Sequence, residues 1–154
     1  MALAWKKVLC PIDFSDNARA ALGVAVDVCR QFDAALVLFH AYELPGYTLP
    51  EGSVVSSPKM LQDLADRADE HLVEWKRTAE RMGAAQVTTE KGIGEPAFEI
   101  VELGREGAFD LIVMGTHGRT GLRHALLGSI AERVVRRAGC PVLTVHPQGW
   151  GRAP

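Results

Sequence analysis

Short apolar runs alternate along this chain with longer segments in which apolar residues recur every three or four positions, a pattern that predicts strands alternating with helices. Lys7–Ile12 (KVLCPI) predicts a first strand. From Ser15 to Phe32, Ala18, Ala21, Leu22, Ala25, Val28 and Phe32 fall at helical spacing. Ala34–Ala41 (AALVLFHA) is nearly all apolar, as expected of a strand covered on both faces. A stretch rich in Pro, Gly and Ser follows, Glu43–Ser57, and suits either a mobile lid or an irregular surface loop. The next helix is expected from about Pro58 to Met82, with Leu61, Leu64, Ala68, Leu72, Trp75 and Ala79 as its inner stripe and Gly83 as its stop. Gln86–Glu90 reads as a short polar strand at a sheet edge. Glu95-Pro96 opens a helix, with proline in the first turn where its missing N–H costs nothing. Phe109–Gly115 (FDLIVMG) is the most strand-like run, Ser129–Ala138 is helical, and Pro141–His146 (PVLTVH) is the last strand. Five strands with intervening helices are best joined by right-handed crossovers into one open parallel sheet with helices on both faces.

Composition narrows the class. A chain of 154 residues accommodates one domain, and 47% hydrophobic with 23% charged residues is ordinary for a globular protein. Residues 1–148 are expected to form that domain and 149–154 a frayed tail. The formal net charge of -2 offers no basic excess, so nucleic acid is not an expected partner. The run Ala34–Phe39 is far shorter than the ~20 residues that span a bilayer, and the N-terminus lacks the apolar core of a signal peptide. A cytoplasmic protein without membrane contact is expected. Cys10, Cys29 and Cys140 form no ligand-spaced or C-x-x-C pair and are expected as reduced, buried thiols.

The chemistry concentrates at two strand ends. Open parallel sheets bind ligands beyond the carboxyl ends of their strands, where the strand order reverses. If the first and fourth strands are central neighbours, that place lies just after Ile12 and Met114. After the fourth strand comes Gly115-Thr116-His117-Gly118-Arg119-Thr120-Gly121, and further on Gly128-Ser129. Glycines let the backbone approach an anion, and a helix entered through glycine presents free amides and its positive dipole end. Ser129 also has the capping-box pattern with Glu132. Arg119 and Arg123 add cationic candidates. At the first strand, Asp13 would meet a ribose hydroxyl or a magnesium ion, or alternatively organise the turn with Ser15 and Asp16.

Taken together, these residues resemble the universal stress protein family, and the spacing Gly115-x2-Gly118-x9-Gly128-Ser129 is similar to the signature of its ATP-binding subgroup. The opening KVLCPIDFS, the second strand ending in His40-Ala41 and the closing CPVLTV carry the resemblance over nearly the whole chain. It implies an adenine nucleotide alpha hydrolase-like sheet of order 3-2-1-4-5. Pro11, Ile12, Asp13 and Ala41 would line the adenosine side, with Asp13 near the ribose. Met114 and Gly115 would sit at the base. Thr116 and His117 lead into Gly118, Arg119, Thr120 and Gly121, which would wrap the phosphates. Gly128, Ser129, Ile130 and Ala131 would offer amides and a hydroxyl to the phosphate chain. The resemblance further implies ATP as ligand, with magnesium held through its phosphates and Asp13 as a candidate ligand, and a homodimer formed through the last strand (Val142, Leu143, Thr144, Val145). Independently, Val142, Leu143 and Val145 would leave an edge strand apolar on both faces, which calls for cover.

Other motifs fail. There is no Walker A sequence, no H-E-x-x-H and no G-x-S-x-G elbow. Gly92-x-Gly94-x-x-Ala97 imitates a dinucleotide fingerprint, but it follows the third strand, and Glu95 puts negative charge where a pyrophosphate would sit. His117 and His124 in the loop have no ligand-spaced partners. Three functions fit: a nucleotide-binding module that switches conformation or partner in a stress response, a slow ATPase without an evident general base, and a ligand-free stress scaffold. No catalytic residue is assigned.

Overall fold

The computed structural model describes residues 4–44, 57–118 and 127–146. Along them run β1 (Lys7–Pro11), α1 (Asp16–Phe32), β2 (Ala35–Tyr42), α2 (Pro58–Arg81), β3 (Val87–Ile93), α3 (Pro96–Glu106), β4 (Leu111–Gly115), α4 (Ser129–Arg137) and β5 (Val142–Val145). The strands form one sheet in the order β3-β2-β1-β4-β5, every neighbouring pair parallel. This is the α/β architecture and strand order expected from the sequence. The order reverses between β1 and β4.

Alternation along the central strands feeds two cores. Val8, Cys10, Leu36, Leu38, Leu111 and Val113 point to one face, where they pack with Leu22, Ala25 and Val26 of α1 and Leu72 and Trp75 of α2. Leu9, Val37, Phe39, Ile112 and Met114 point to the other, against Ala97 and Ile100 of α3 and Ala131 and Val134 of α4. Both faces being covered explains the near-continuous apolar runs of β1, β2 and β4. The helix boundaries follow local chemistry. Ser15 caps α1 by accepting the Ala18 amide, and Asp33 ends it in a left-handed conformation. Pro96 stands in the first turn of α3, as expected, with Glu95 as its cap. Gly83, at φ 104°, follows the cap of α2.

The structure also corrects the sequence reading. β3 is an edge strand but runs to Ile93 rather than Glu90, because its pairing with β2 continues through Gly92 and Ile93 to Tyr42. The ring of Phe39 lies where a Cβ on Gly92 would come within 2.9 Å of it, so this glycine makes room for a core aromatic. β4 begins at Leu111, since Ala108 turns the chain with positive φ and Phe109 packs into the core before the strand starts. In α2 the inner stripe is fully buried only at Ala68, Leu72, Trp75 and Ala79, while Leu61 and Leu64 are half-buried. The three thiols are free; Cys10 and Cys29 are buried, but Cys140 only partly so. Residues 45–56 of the loop and residues 149–154 of the tail lie outside the described residues, so the expectations for them do too.

Candidate functional site

The carboxyl ends of β1, β2 and β4 open into a cavity of about 690 Å³, inside the roughly 300–1,000 Å³ range of small-ligand pockets. It sits at the point where the strand order reverses. From β1 and the turn after it come Pro11, Ile12 and Asp13, and from β2 comes Ala41. Met114 and Gly115 at the end of β4 continue into Thr116, His117 and Gly118, while Gly128, Ser129, Ile130 and Ala131 add the start of α4. The fold thus brings onto one cavity every expected site residue that the structure describes. Arg119, Thr120, Gly121, Arg123 and His124 lie outside the described residues.

Each side of the cavity is held by identifiable contacts. The Ser15 amide and hydroxyl both donate to Asp13 Oδ1, the amide at 3.1 Å. Asp13 therefore organises the turn and lines the cavity at once, and the two readings of this residue are compatible. Thr116, 6% exposed, ties the base together: its amide donates to Val145 O at 3.0 Å and its carbonyl accepts the Gly128 amide at 2.7 Å. The two ends of the loop between them are thereby pinned side by side. His117 Nδ1 lies 3.0 Å from Thr116 Oγ1.

The motif glycines have different physical reasons. A Cβ on Gly115 would meet the Asn17 backbone at 3.1 Å, and one on Gly128 the Thr116 carbonyl oxygen at 3.2 Å. Those two glycines let α1 and the returning loop pack against the end of β4. Gly118 is the one whose Cβ would approach the cavity's own carboxylate, at 3.0 Å from Asp13 Oδ2.

Both α3 and α4 begin at the cavity, and their N-termini differ. The Glu95 carboxylate accepts the amides of Ala97 and Phe98 at 3.2 and 3.0 Å, so α3 supplies an anion to its own N-terminus. Arg133 Nη1 in turn meets Glu95 Oε1 at 3.1 Å. α4 is capped by Gly128 with no side-chain cap hydrogen bond. The expected capping box at Ser129 is not formed: Ser129 is the first helical residue, and Gly128 O receives the first helical bond, from the Glu132 amide at 2.9 Å. The amides of Ser129, Ile130 and Ala131 precede that bond and have no acceptor within the helix.

The sequence reading missed several lining residues. Phe39, His40, Tyr42 and Glu43 continue the β2 wall, and Pro96 and Ile100 add the start of α3. His40 donates from Nδ1 to Ile12 O at 2.8 Å, since a carbonyl oxygen only accepts. The β2 residues were within reach, because they share the strand end that Ala41 marked. Nothing local signals that α3 would begin at the same cavity. Among the described residues, no cluster of three or more His, Cys, Asp or Glu side chains is arranged to hold a metal ion, and no helix is long and apolar enough to cross a membrane.

The fold recurs among known proteins. The profile of the Universal stress protein family matches residues 4–146. Universal stress protein MJ0531 of Methanocaldococcus jannaschii is 41% identical over 143 residues, covering 92% of this chain and 82% of its own. The structure of universal stress protein UspA from Lactobacillus plantarum superposes with a TM-score of 0.80 at 25% identity, covering 94% of this chain and 99% of that one. A universal stress protein crystallised in complex with cAMP superposes with a TM-score of 0.71 at 27% identity, covering 95% and 100% of the two chains.

Proposed function

This chain belongs to the universal stress protein family, and from that premise we propose that its cavity binds an adenine nucleotide, ATP in the first place, whose occupancy switches conformation or partner choice in a stress response. The observation that carries the reading is that an α4 N-terminus lacking a side-chain cap and the Asp13 carboxylate line one cavity at the reversal point of the sheet. The amides of Ser129, Ile130 and Ala131 and the Ser129 hydroxyl receive the phosphates, where the helix dipole favours negative charge. α3 does not compete for them, because Glu95 already fills its end. Asp13 accepts from the ribose hydroxyls, and magnesium enters with the phosphates. The relative crystallised with cAMP supports adenine as the base.

Magnitudes show why the phosphate end is insufficient alone. A helix terminus contributes roughly 0.3–1 kcal/mol to an exposed anion, whereas micromolar affinity needs about -8 kcal/mol. The larger share comes from burying the adenine against Ile12, Phe39, Ala41, Ile100 and Met114, all lining the cavity. The same reading includes a homodimer through β5, whose Leu143 is an exposed apolar residue on an edge strand.

Calorimetric titration with ATP and magnesium tests the proposal. One site per chain is expected in the wild type. Gly118→Leu, which drives a side chain into Asp13, is expected to weaken binding by more than about tenfold, or 1.4 kcal/mol, while leaving the fold intact. An unchanged affinity in that variant refutes the loop assignment, and absence of binding to the nucleotide-free wild type leaves the scaffold reading. Phosphate release under saturation separates a switch from a slow hydrolase.

A further inference from the structure

Immediately after Asp13 the chain does something costly. Phe14 has φ 63°, in the left-handed region that disfavours any residue with a Cβ and most of all a bulky one. Two other non-glycine residues share such a φ among those described, Asp33 at the end of α1 and Ala108 after α3, and each closes a helix. Phe14 closes nothing. It lies between the end of β1 and the cap of α1, and such a conformation persists only where its surroundings over-determine it.

Those surroundings are aromatic. The Phe14 ring centroid lies 4.4 Å from that of His40, 4.8 Å from His71 and 5.8 Å from Trp75, the last two in edge-on geometry. His40 is held by its bond to Ile12 O, and His71 and Trp75 belong to α2. The ring is thus keyed between His40 near the end of β2 and two residues of α2, the exposed His71 and the buried Trp75. With the ring on that side, the backbone turns so that Asp13 Oδ1 receives the Ser15 amide and hydroxyl, Ser15 Oγ receives the Ala18 amide at 3.2 Å, and Asp13 lines the cavity beside Gly118.

We propose that Phe14 is a positioning residue for the nucleotide site: its aromatic cage holds the strained turn that presents Asp13 to the ligand. This rests on the nucleotide reading above, and it makes α2, none of whose residues lines the cavity, part of the site's support through its contacts with this ring. A bound ligand gains from a carboxylate already fixed in place, since the cost of ordering it has been met during folding.

The test is a double-mutant cycle with a ligand-free readout beside it. F14G removes both the ring and the strain, F14A removes the ring and keeps a Cβ should F14G fail to fold, and F14Y restores the ring. In nucleotide-free protein, hydrogen exchange at the Ser15 amide is expected to accelerate in F14G and to return to the wild-type rate in F14Y. In titrations with ATP and magnesium, F14G is expected to weaken binding about tenfold, the scale of one charge-assisted hydrogen bond. In a D13A background the same substitution should weaken it no further, because Phe14 acts through Asp13. Unchanged Ser15 exchange in F14G overturns the proposal, as does an equal loss of affinity with and without Asp13. Should the wild type take up no nucleotide, the site reading falls, and Ser15 exchange alone decides whether Phe14 holds the turn.

Discussion

At the scale of single residues, the same letter in the sequence answers to different physical demands. Gly115 and Gly128 are small because the chain packs against itself there, whereas the room at Gly118 faces a carboxylate of the cavity. The cysteines divide in a similar way. Burial pushes the Cys10 thiol up to about 12, with a smaller contribution from neighbouring Cys29, and pushes Cys29 up to about 11. Their neutral form is favoured by the fold, so the stability they lend is complete below the ordinary thiol value of 9.0 and is lost as pH rises through 11 to 12. Wild-type stability is expected to fall more steeply above pH 9 than that of a C10A/C29A variant, by up to about 1.4 kcal/mol per pH unit for each thiol, as measured by urea denaturation across that range. Under native conditions at neutral pH, alkylation should reach the half-buried Cys140 first.

Elements, unlike residues, are distinguished by how they begin. α1 starts with a serine that accepts an amide of its own helix, and α3 starts with a glutamate that accepts two. α4 starts with a glycine that offers no such group. The two serines at these helix starts are therefore not equivalent. Ser15→Ala is expected to cost about 1 kcal/mol of stability. Ser129→Ala should change stability by only a few tenths of that and instead lower nucleotide affinity, because its hydroxyl makes no cap bond among the described residues. Denaturation and titration of both variants check the contrast, and a stability loss at Ser129 equal to that at Ser15 would contradict the cap assignment. Sequence alone pointed the other way here. Ser129 and Glu132 have the spacing of a capping box, but Gly128 donates to Thr116 O and so begins the helix one residue earlier.

For the whole molecule, the site and the proposed dimer edge are joined by one residue. Thr116 donates to Val145 of β5 and accepts from Gly128 at the start of α4, so the cavity's base is also the inner side of the edge strand. A ligand that binds only the folded form raises its stability by about 2.7 kcal/mol at a hundred times its dissociation constant. Saturating ATP should therefore raise the unfolding temperature of the wild type and leave that of Gly118→Leu nearly unmoved. Leu143→Asp places a charge on the exposed face of β5 and is expected to convert a dimer to a monomer in sedimentation. If the wild type sediments as a monomer, the β5 interface is wrong while the nucleotide site stands on its own geometry.

The alternation of apolar runs with helical spacing was enough to determine the element order and the parallel sheet, because a strand buried on both faces has almost no freedom in composition. The glycine–serine spacing, read with the family resemblance, was enough to mark strand ends that open onto the cavity, since close backbone approach leaves few alternatives to glycine. What the sequence left open depended on contacts between distant segments. The extra length of β3 came from its pairing with β2, and the cap of α4 came from a hydrogen bond to the end of β4. The walls contributed by Pro96 and Ile100, and the contacts of the Phe14 ring with α2, exist only because crossovers bring residues far apart in the chain to one edge of the sheet. Local periodicity encodes which face of an element is buried; it carries no information about which neighbour does the burying, and that is decided by tertiary packing.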